Sequence, residues 1–268
     1  MSDDEQGPVS EHVRLAVVDG IGTITIDRPD KRNAMTYAML GAFIDTLRRA
    51  GEDPDVRVVI LTGVPGAFCA GTDLADLATV PGGQRGLRGA ASERGRWWPI
   101  VECPRPVICA IDGPAYGMGA EFTSQCDIRI ATPNARFAWN FAHRGLVPDT
   151  GAGSWLLPRL VGPARALKLL YTGAPLSAEE ALAIGYVDEL VAPEALPERA
   201  DALARAILKG SPFSHARIKS LVYEGLGAEV DAHMARHTAA LAQCFASADH
   251  QEGVASFLER REASFTGR

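Results

Sequence analysis

The sequence predicts an α/β protein with a helical C-terminal region, and three features predict it. Two short β-branched runs each lead into a glycine-rich turn. Strand-like and helix-like stretches alternate through the first half of the chain. Beyond Pro163 the pattern turns mostly helical.

Taken in order, residues 1–10 are acidic and polar and read as a disordered lead-in. "VRLAVVDGIGTITIDRP" gives two β-rich runs around Asp19-Gly20, a hairpin signal. "NAMTYAMLGAFIDTLRRAGED" places Met35, Met39, Phe43 and Leu47 on one helical face. "VRVVILTG" and "PVICAIDG" suit buried strands. The first runs into "AFCAGTDL", the second into "PAYGMGAEF", with a helix expected at Ala120–Gln125. Between them "PGGQRGLRGAASERGR" reads as a mobile segment. Helices are expected at 163–172, 178–185, 194–209, 214–224, 228–247 and 250–262. The division that follows is a lead-in (1–10), an α/β core (11–205) and a helical C-terminal region (206–268).

A chain of 268 residues can bury a sizeable core. A net charge of −6 with no dominant basic face argues against nucleic-acid binding. No apolar run reaches the ~18–20 residues that span a membrane. The polar N-terminus reads as neither signal nor transit peptide. Cys69, Cys103, Cys109, Cys126 and Cys244 form no CxxC and no disulfide framework, which suits a reduced, cytoplasmic protein.

The two glycine turns carry the chemical interest. Ala70-Gly71 lets a ligand approach the backbone, and Gly117 and Gly119 flank Met118 just before a helix whose first N–H groups have no partner. Two such donors converging on one carbonyl oxygen would form an oxyanion hole, each worth ~3–4 kcal/mol of barrier. On glycine content alone, tight turns without a ligand are the commoner reading.

"ITIDRPDKRNAM", "VVILTGVPGAFCAGTDL", "PRPVICAIDGPAYGMGAEF", "CDIRIATPNARF", "GLVPDTGAGSWLLPRLVG" and "TGAPLSAEEALAIGYVDELV" occur in this order. Together they resemble the crotonase (enoyl-CoA hydratase/isomerase) superfamily, from about residue 13 to the closing "FLERREASFTG". The resemblance implies a spiral of ββα units, a helical C-terminal part that builds trimers or hexamers, and stabilisation of a thioester enolate by two backbone N–H groups. By position these are Ala70 and Met118, where most members have glycine at the second. It further implies Lys31, Arg32 and Ala34 near the phosphates and pantetheine of coenzyme A, and Thr72, Asp73 and Leu74 near the adenine. Arg260 matches a basic position on the last helix that reaches CoA, sometimes in a neighbouring subunit. Coenzyme A enters as part of the substrate, and no metal or redox cofactor is implied.

The resemblance also identifies the acids. Glu121 matches the first glutamate of a two-glutamate hydratase, while the second falls on Phe141, which cannot exchange protons. Asp149, in "GLVPD", matches an aspartate that shuttles a proton in the isomerase branch. A dehalogenase branch pairs that aspartate with a preceding histidine, which "GRWWPIVECPRP" lacks. Among Trp139, Phe141 and Leu146, a carboxylate would have its pKa raised toward neutrality. The blander readings are a helix N-terminus for Glu121 and a turn residue for Asp149.

Other signals carry less. "DTG" has no second copy, "HMARH" places His233 and His237 at i and i+4 without a third ligand, and "GMGAEF" lacks the third glycine of a dinucleotide loop. Nothing near Cys69 activates it. Trp97 and Trp98 are expected in the acyl pocket wall or the core. The functional expectation is an enoyl-CoA hydratase or isomerase; the alternative is an acyl-CoA-binding relative that has lost the chemistry.

Overall fold

The computed structural model describes residues 11–79 and 98–268. The expected lead-in, the Gly/Arg-rich segment and Trp97 lie outside the described residues.

The chain opens with β1 (Val13–Val18) and β2 (Ile21–Ile26), an antiparallel hairpin closed by Asp19 and Gly20 at positive φ. Thr36 caps α1 (Tyr37–Glu52) by accepting the Met39 N–H at 3.2 Å, so Met35 lies just outside the helix. Met39, Phe43 and Leu47 do form its buried face; Met35 is buried through a bridge to Thr72 instead. β3 (Val58–Gly63) and the short α2 (Leu74–Thr79) follow, then α3 (Pro99–Glu102), β4 (Val107–Ile111), β5 (Pro114–Tyr116) and α4 (Met118–Gln125). Next come β6 (Ile128–Ala131), β7 (Arg136–Ala138), α5 (Ala152–Trp155), α6 (Leu157–Val161), α7 (Pro163–Thr172), β8 (Leu176–Ser177), α8 (Ala178–Ala183) and β9 (Glu189–Leu190).

Two sheets result. Six strands run in the order β1-β2-β3-β4-β6-β9, parallel from β2 onward, and β5-β7-β8 form a smaller sheet. β3 and β4 are buried on both faces, as parallel strands covered by helices must be. One face packs on α1 and α4 through Phe43, Phe68 and Phe122; the other meets α9 (Leu196–Leu208) through Ile60, Ile108, Ile130 and Ala200. The turns that follow β3 and β5 both reach one cavity.

α10 (Pro212–Gly225), α11 (Val230–Ala246) and α12 (Ala248–Glu259) complete the chain. Helix α9 runs across residue 205, where the helical region was expected to begin. No α11 residue is buried, and Val230, Met234, Phe245, Phe257 and Leu258 are exposed, Phe257 by 81%. An apolar helix pair of this kind leaves a large part of its hydrophobic surface in water. Among the described residues no helix is long and apolar enough to cross a membrane.

Candidate active site

Strands β3 and β4 deliver two turns side by side. After β3, Met35 donates to the Gly71 carbonyl (2.8 Å) and accepts from the Asp73 N–H (2.7 Å). In such a parallel bridge the intervening residue, Thr72, turns its own N–H and C=O the other way. After β4 and β5, Gly117 at φ +53 reverses the chain into α4, whose first residue is Met118. Neither the Thr72 nor the Met118 N–H donates to a described acceptor. The turns touch at Gly71, where a Cβ would stand 2.8 Å from the Tyr116 carbonyl and 3.7 Å from the Met118 nitrogen. Only glycine fits there, and its φ of +100° requires it too.

This geometry corrects the expectation for Ala70. Its N–H already donates to the Arg32 carbonyl at 3.0 Å, so it is not free to hold an oxyanion. Thr72, two residues on, has an N–H with no described acceptor, and it lines the cavity floor.

The turns open on a cavity of about 520 Å³. Ala70, Gly71, Thr72, Gly117 and Met118 form its floor; Tyr37, Leu74, Leu77, Phe141, Leu146, Val147 and Pro148 supply largely apolar walls; Asn140, Arg144 and Asp149 add polar groups. Asp149 is therefore the one acid lining this cavity among the described residues. It is reached by solvent inside the cavity, yet the walls strip away bulk water, and that burial pushes its carboxyl up to about 6. Backbone N–H groups of Thr150 and of Asp149 itself oppose the rise. Of the expected apolar neighbours, Phe141 and Leu146 line the cavity, whereas Trp139 is buried behind it at 1% exposure.

Glu121 sits differently. It lies one turn into α4, fully buried, and is not a lining residue. Thr150 Oγ1 donates to its Oε2 at 2.6 Å, while Oε1 has no described partner and lies against Gly153. Burial raises its pKa to about 8; the Thr150 hydroxyl opposes this and the nearby Asp149 charge adds to it. At neutral pH Glu121 is mostly the uncharged acid.

The remaining expected residues divide. Asp73 is engaged: its Oδ2 accepts Arg28 Nη1 at 2.8 Å and its Oδ1 accepts the Ala75 N–H at 2.9 Å, and these bonds hold its pKa down, the arginine most. It welds the 28–34 loop to the start of α2. Arg28 Nη1 also donates to the Ala34 carbonyl, and Asn33 Nδ2 to the Ala67 carbonyl, tightening the same joint. Lys31 and Arg32 are exposed on that loop and outside the cavity wall, while Leu74 is in it. Arg260 ends α12 in a left-handed conformation, exposed. Cys69 is buried with its thiol pushed up to about 12 by burial, which leaves it unreactive. Trp98 donates from Nε1 to the Thr150 carbonyl at 3.0 Å. The His233 and His237 rings are 6.5 Å apart with no third ligand among the described residues.

Three residues of the site carry no sequence signal strong enough to single them out. Thr150 sits in a Thr-Gly step that reads as a turn, and its role depends on an acid 29 positions away. Asn140, just before a short 3-10 helix (Ala142–Arg144), and Arg144, its last residue, both line the cavity. The cation is visible in the sequence, but its direction is not.

Comparison with known proteins agrees with this architecture. The family model described as "Enoyl-CoA hydratase/isomerase" matches residues 17–268. The chain is 36% identical over 262 residues to 1,2-epoxyphenylacetyl-CoA isomerase of Escherichia coli (strain K12), covering 96% of this chain and 99% of that one. It is 34% identical over 260 residues to crotonyl-CoA hydratase of Syntrophomonas wolfei, covering 96% and 99%. A crystal structure of an enoyl-CoA hydratase from Mycobacterium marinum superposes with a TM-score of 0.87 at 34% identity, covering 97% of this chain and all of that one. With the crotonase fold, the paired turns and the matching family model in hand, the chain is an enzyme of the enoyl-CoA hydratase/isomerase family.

Proposed function

We propose that this enzyme moves the double bond of a 3-enoyl-CoA thioester into conjugation, with Asp149 as the proton shuttle. One observation carries the reading: Asp149 is the acid facing the described cavity, while Glu121 is buried behind it and Phe141 occupies the position of a second glutamate. Asp149 as carboxylate takes the α-proton, and the C–H electrons form the C1–C2 double bond of a dienolate as the carbonyl π electrons pass to the thioester oxygen. The Thr72 and Met118 N–H groups hold that oxygen. As the carbonyl re-forms, the C1–C2 electrons move to C2–C3, the old 3,4 pair bonds the proton that Asp149 returns to the γ-carbon, and the base is restored. A pKa near 6 suits a group that must both take and give a proton near neutrality.

A second reading, hydration of a 2-trans-enoyl-CoA, is supported by the similarity to crotonyl-CoA hydratase and by the presence of both acids. It needs a carboxylate on each side of a water, and Glu121 does not reach the described cavity. A non-catalytic acyl-CoA binder would have no use for a cavity acid tuned toward neutrality.

Coenzyme A enters as part of the substrate, with Lys31, Arg32 and Ala34 beside its phosphates and pantetheine, and Arg260 contributing charge from the last helix. The exposed apolar faces of α11 and α12 support a trimer, alone or paired into a hexamer. The test is to supply 3-enoyl-CoA and 2-trans-enoyl-CoA separately and follow the products by mass. Isomerisation without gain of water supports the reading. Water addition to the 2-enoyl substrate with no action on the 3-enoyl one overturns it.

A further inference from the structure

We infer that Thr150 and Glu121 form an anchor that positions Asp149, and that Glu121 acts through Thr150 rather than on the substrate. The inference rests on Asp149 being the base. Asp149 stands on a short segment between Pro148 and Gly151, and among the described residues no side chain is hydrogen-bonded to its carboxyl. Its direction into the cavity is therefore set by the backbone of its neighbours.

Thr150 is the neighbour that is held. It is 7% exposed, and its hydroxyl donates to Glu121 Oε2 at 2.6 Å. Thr150 Oγ1 also accepts the Ala152 N–H at 3.2 Å and Gln125 Nε2 at 3.4 Å, and the Thr150 carbonyl accepts Trp98 Nε1 at 3.0 Å. Four bonds from α4, α5 and the start of α3 thus converge on the residue next to the base. The strongest of them ends on Glu121, which α4 holds fully buried. Gly153 completes the arrangement: a Cβ there would come within 2.3 Å of Glu121 Oε1, so α5 begins pressed against the acid. A misplacement of about 1 Å at a catalytic group costs on the order of a hundredfold in rate, so an anchor of this kind is worth keeping even when it never meets the substrate.

Of the described groups facing Glu121, Thr150 and the Ala152 and Gly153 backbone of α5 are uncharged, as are Gln125 beside Thr150 and Trp139 beside Gly153, and Asp149 is the charged one. Ionising Glu121 therefore sets a second negative charge beside the base and the developing enolate. Activity should fall as pH rises through about 8, where burial has moved the Glu121 carboxyl.

The experiment compares Thr150→Val, Thr150→Ser, Glu121→Gln and Asp149→Asn on 3-enoyl-CoA, with kcat and KM measured across pH and folding checked by circular dichroism. Thr150→Val lowers kcat by roughly ten- to a hundredfold at nearly constant KM, and Thr150→Ser restores most of it. Gln is shaped like the neutral acid and still accepts the threonine hydroxyl, so Glu121→Gln lowers kcat less than about tenfold and loses the alkaline fall. Glu121→Gln as inactive as Asp149→Asn overturns the anchor, because Glu121 then acts on the substrate itself. Full activity in folded Thr150→Val overturns it as well. Undiminished turnover by Asp149→Asn removes the base reading, and the anchor with it.

Discussion

Replacing Glu121 by Gln should change how stability depends on pH, by an amount that follows from its burial. In the unfolded chain a glutamate ionises near its ordinary value of 4.5; in the fold burial moves it to about 8. Its folded-state pKa is raised, so the folded state binds the proton more tightly than the unfolded one. The wild-type enzyme therefore holds this contribution in full below pH 4.5 and loses it as pH rises toward 8. Each pH unit inside that window costs about 1.4 kcal/mol, so between pH 5 and pH 8 the wild type loses roughly 3–4 kcal/mol that the Gln variant does not lose. Any fixed cost of fitting the amide against Gly153 cancels when the two curves are compared across pH. The assay is urea unfolding of both proteins at one protein concentration and at pH 5, 6, 7 and 8. Glu121→Gln gains steadily on the wild type over the series. Parallel curves would mean that Glu121 is already charged in the fold and that the burial argument is wrong.

Other outcomes follow from the same geometry. The acid limb of kcat on 3-enoyl-CoA should rise through about pH 6, where the Asp149 carboxyl loses its proton, and a stopped-time assay from pH 4.5 to 7.5 reads it. Gly119→Ala would bring a Cβ to 2.2 Å from the Cys69 carbonyl, pushing apart the two turns that carry the Thr72 and Met118 donors. Its kcat should fall on the order of a hundredfold, the loss typical of one oxyanion donor, with a lower melting temperature. Phe257→Asp, at a residue 81% exposed, should leave the melting of a single chain nearly unchanged and shift sedimentation toward smaller species. Arg28→Ala removes the pair to Asp73 and the bond to the Ala34 carbonyl, loosening the loop that carries Lys31 and Arg32. KM for the acyl-CoA should rise severalfold with a smaller effect on kcat.

Some of this was readable in the sequence because local chemistry decides it. Helix α7 runs from Pro163, a favoured first residue, to Thr172, before Gly173 in the left-handed conformation, as the residue pattern predicts. The hairpin at Asp19-Gly20 and the buried strands β3 and β4 are local in the same sense. Met35 was not, because Thr36 caps the helix one residue later and the bridge to Thr72 supplies its burial. The unoccupied backbone donor was not local either. Ala70 and Thr72 both stand in a turn beside glycine, and what separates them is that a carbonyl from the 28–34 loop occupies one N–H. The two acids show the same limit: each is visible in its motif, but only the packing of α4 against α5 puts Glu121 behind the wall and Asp149 in it.

The most direct test of Asp149 as the shuttle is deuterium incorporation. Wild-type enzyme and Asp149→Asn are incubated with 3-enoyl-CoA in D2O, and substrate and product are followed by mass. If Asp149 is the base, the wild type forms 2-enoyl-CoA that carries deuterium, and Asp149→Asn neither isomerises the substrate nor exchanges its α-proton. Exchange and isomerisation continuing in Asp149→Asn, and stopping only when Glu121 is replaced, would contradict it.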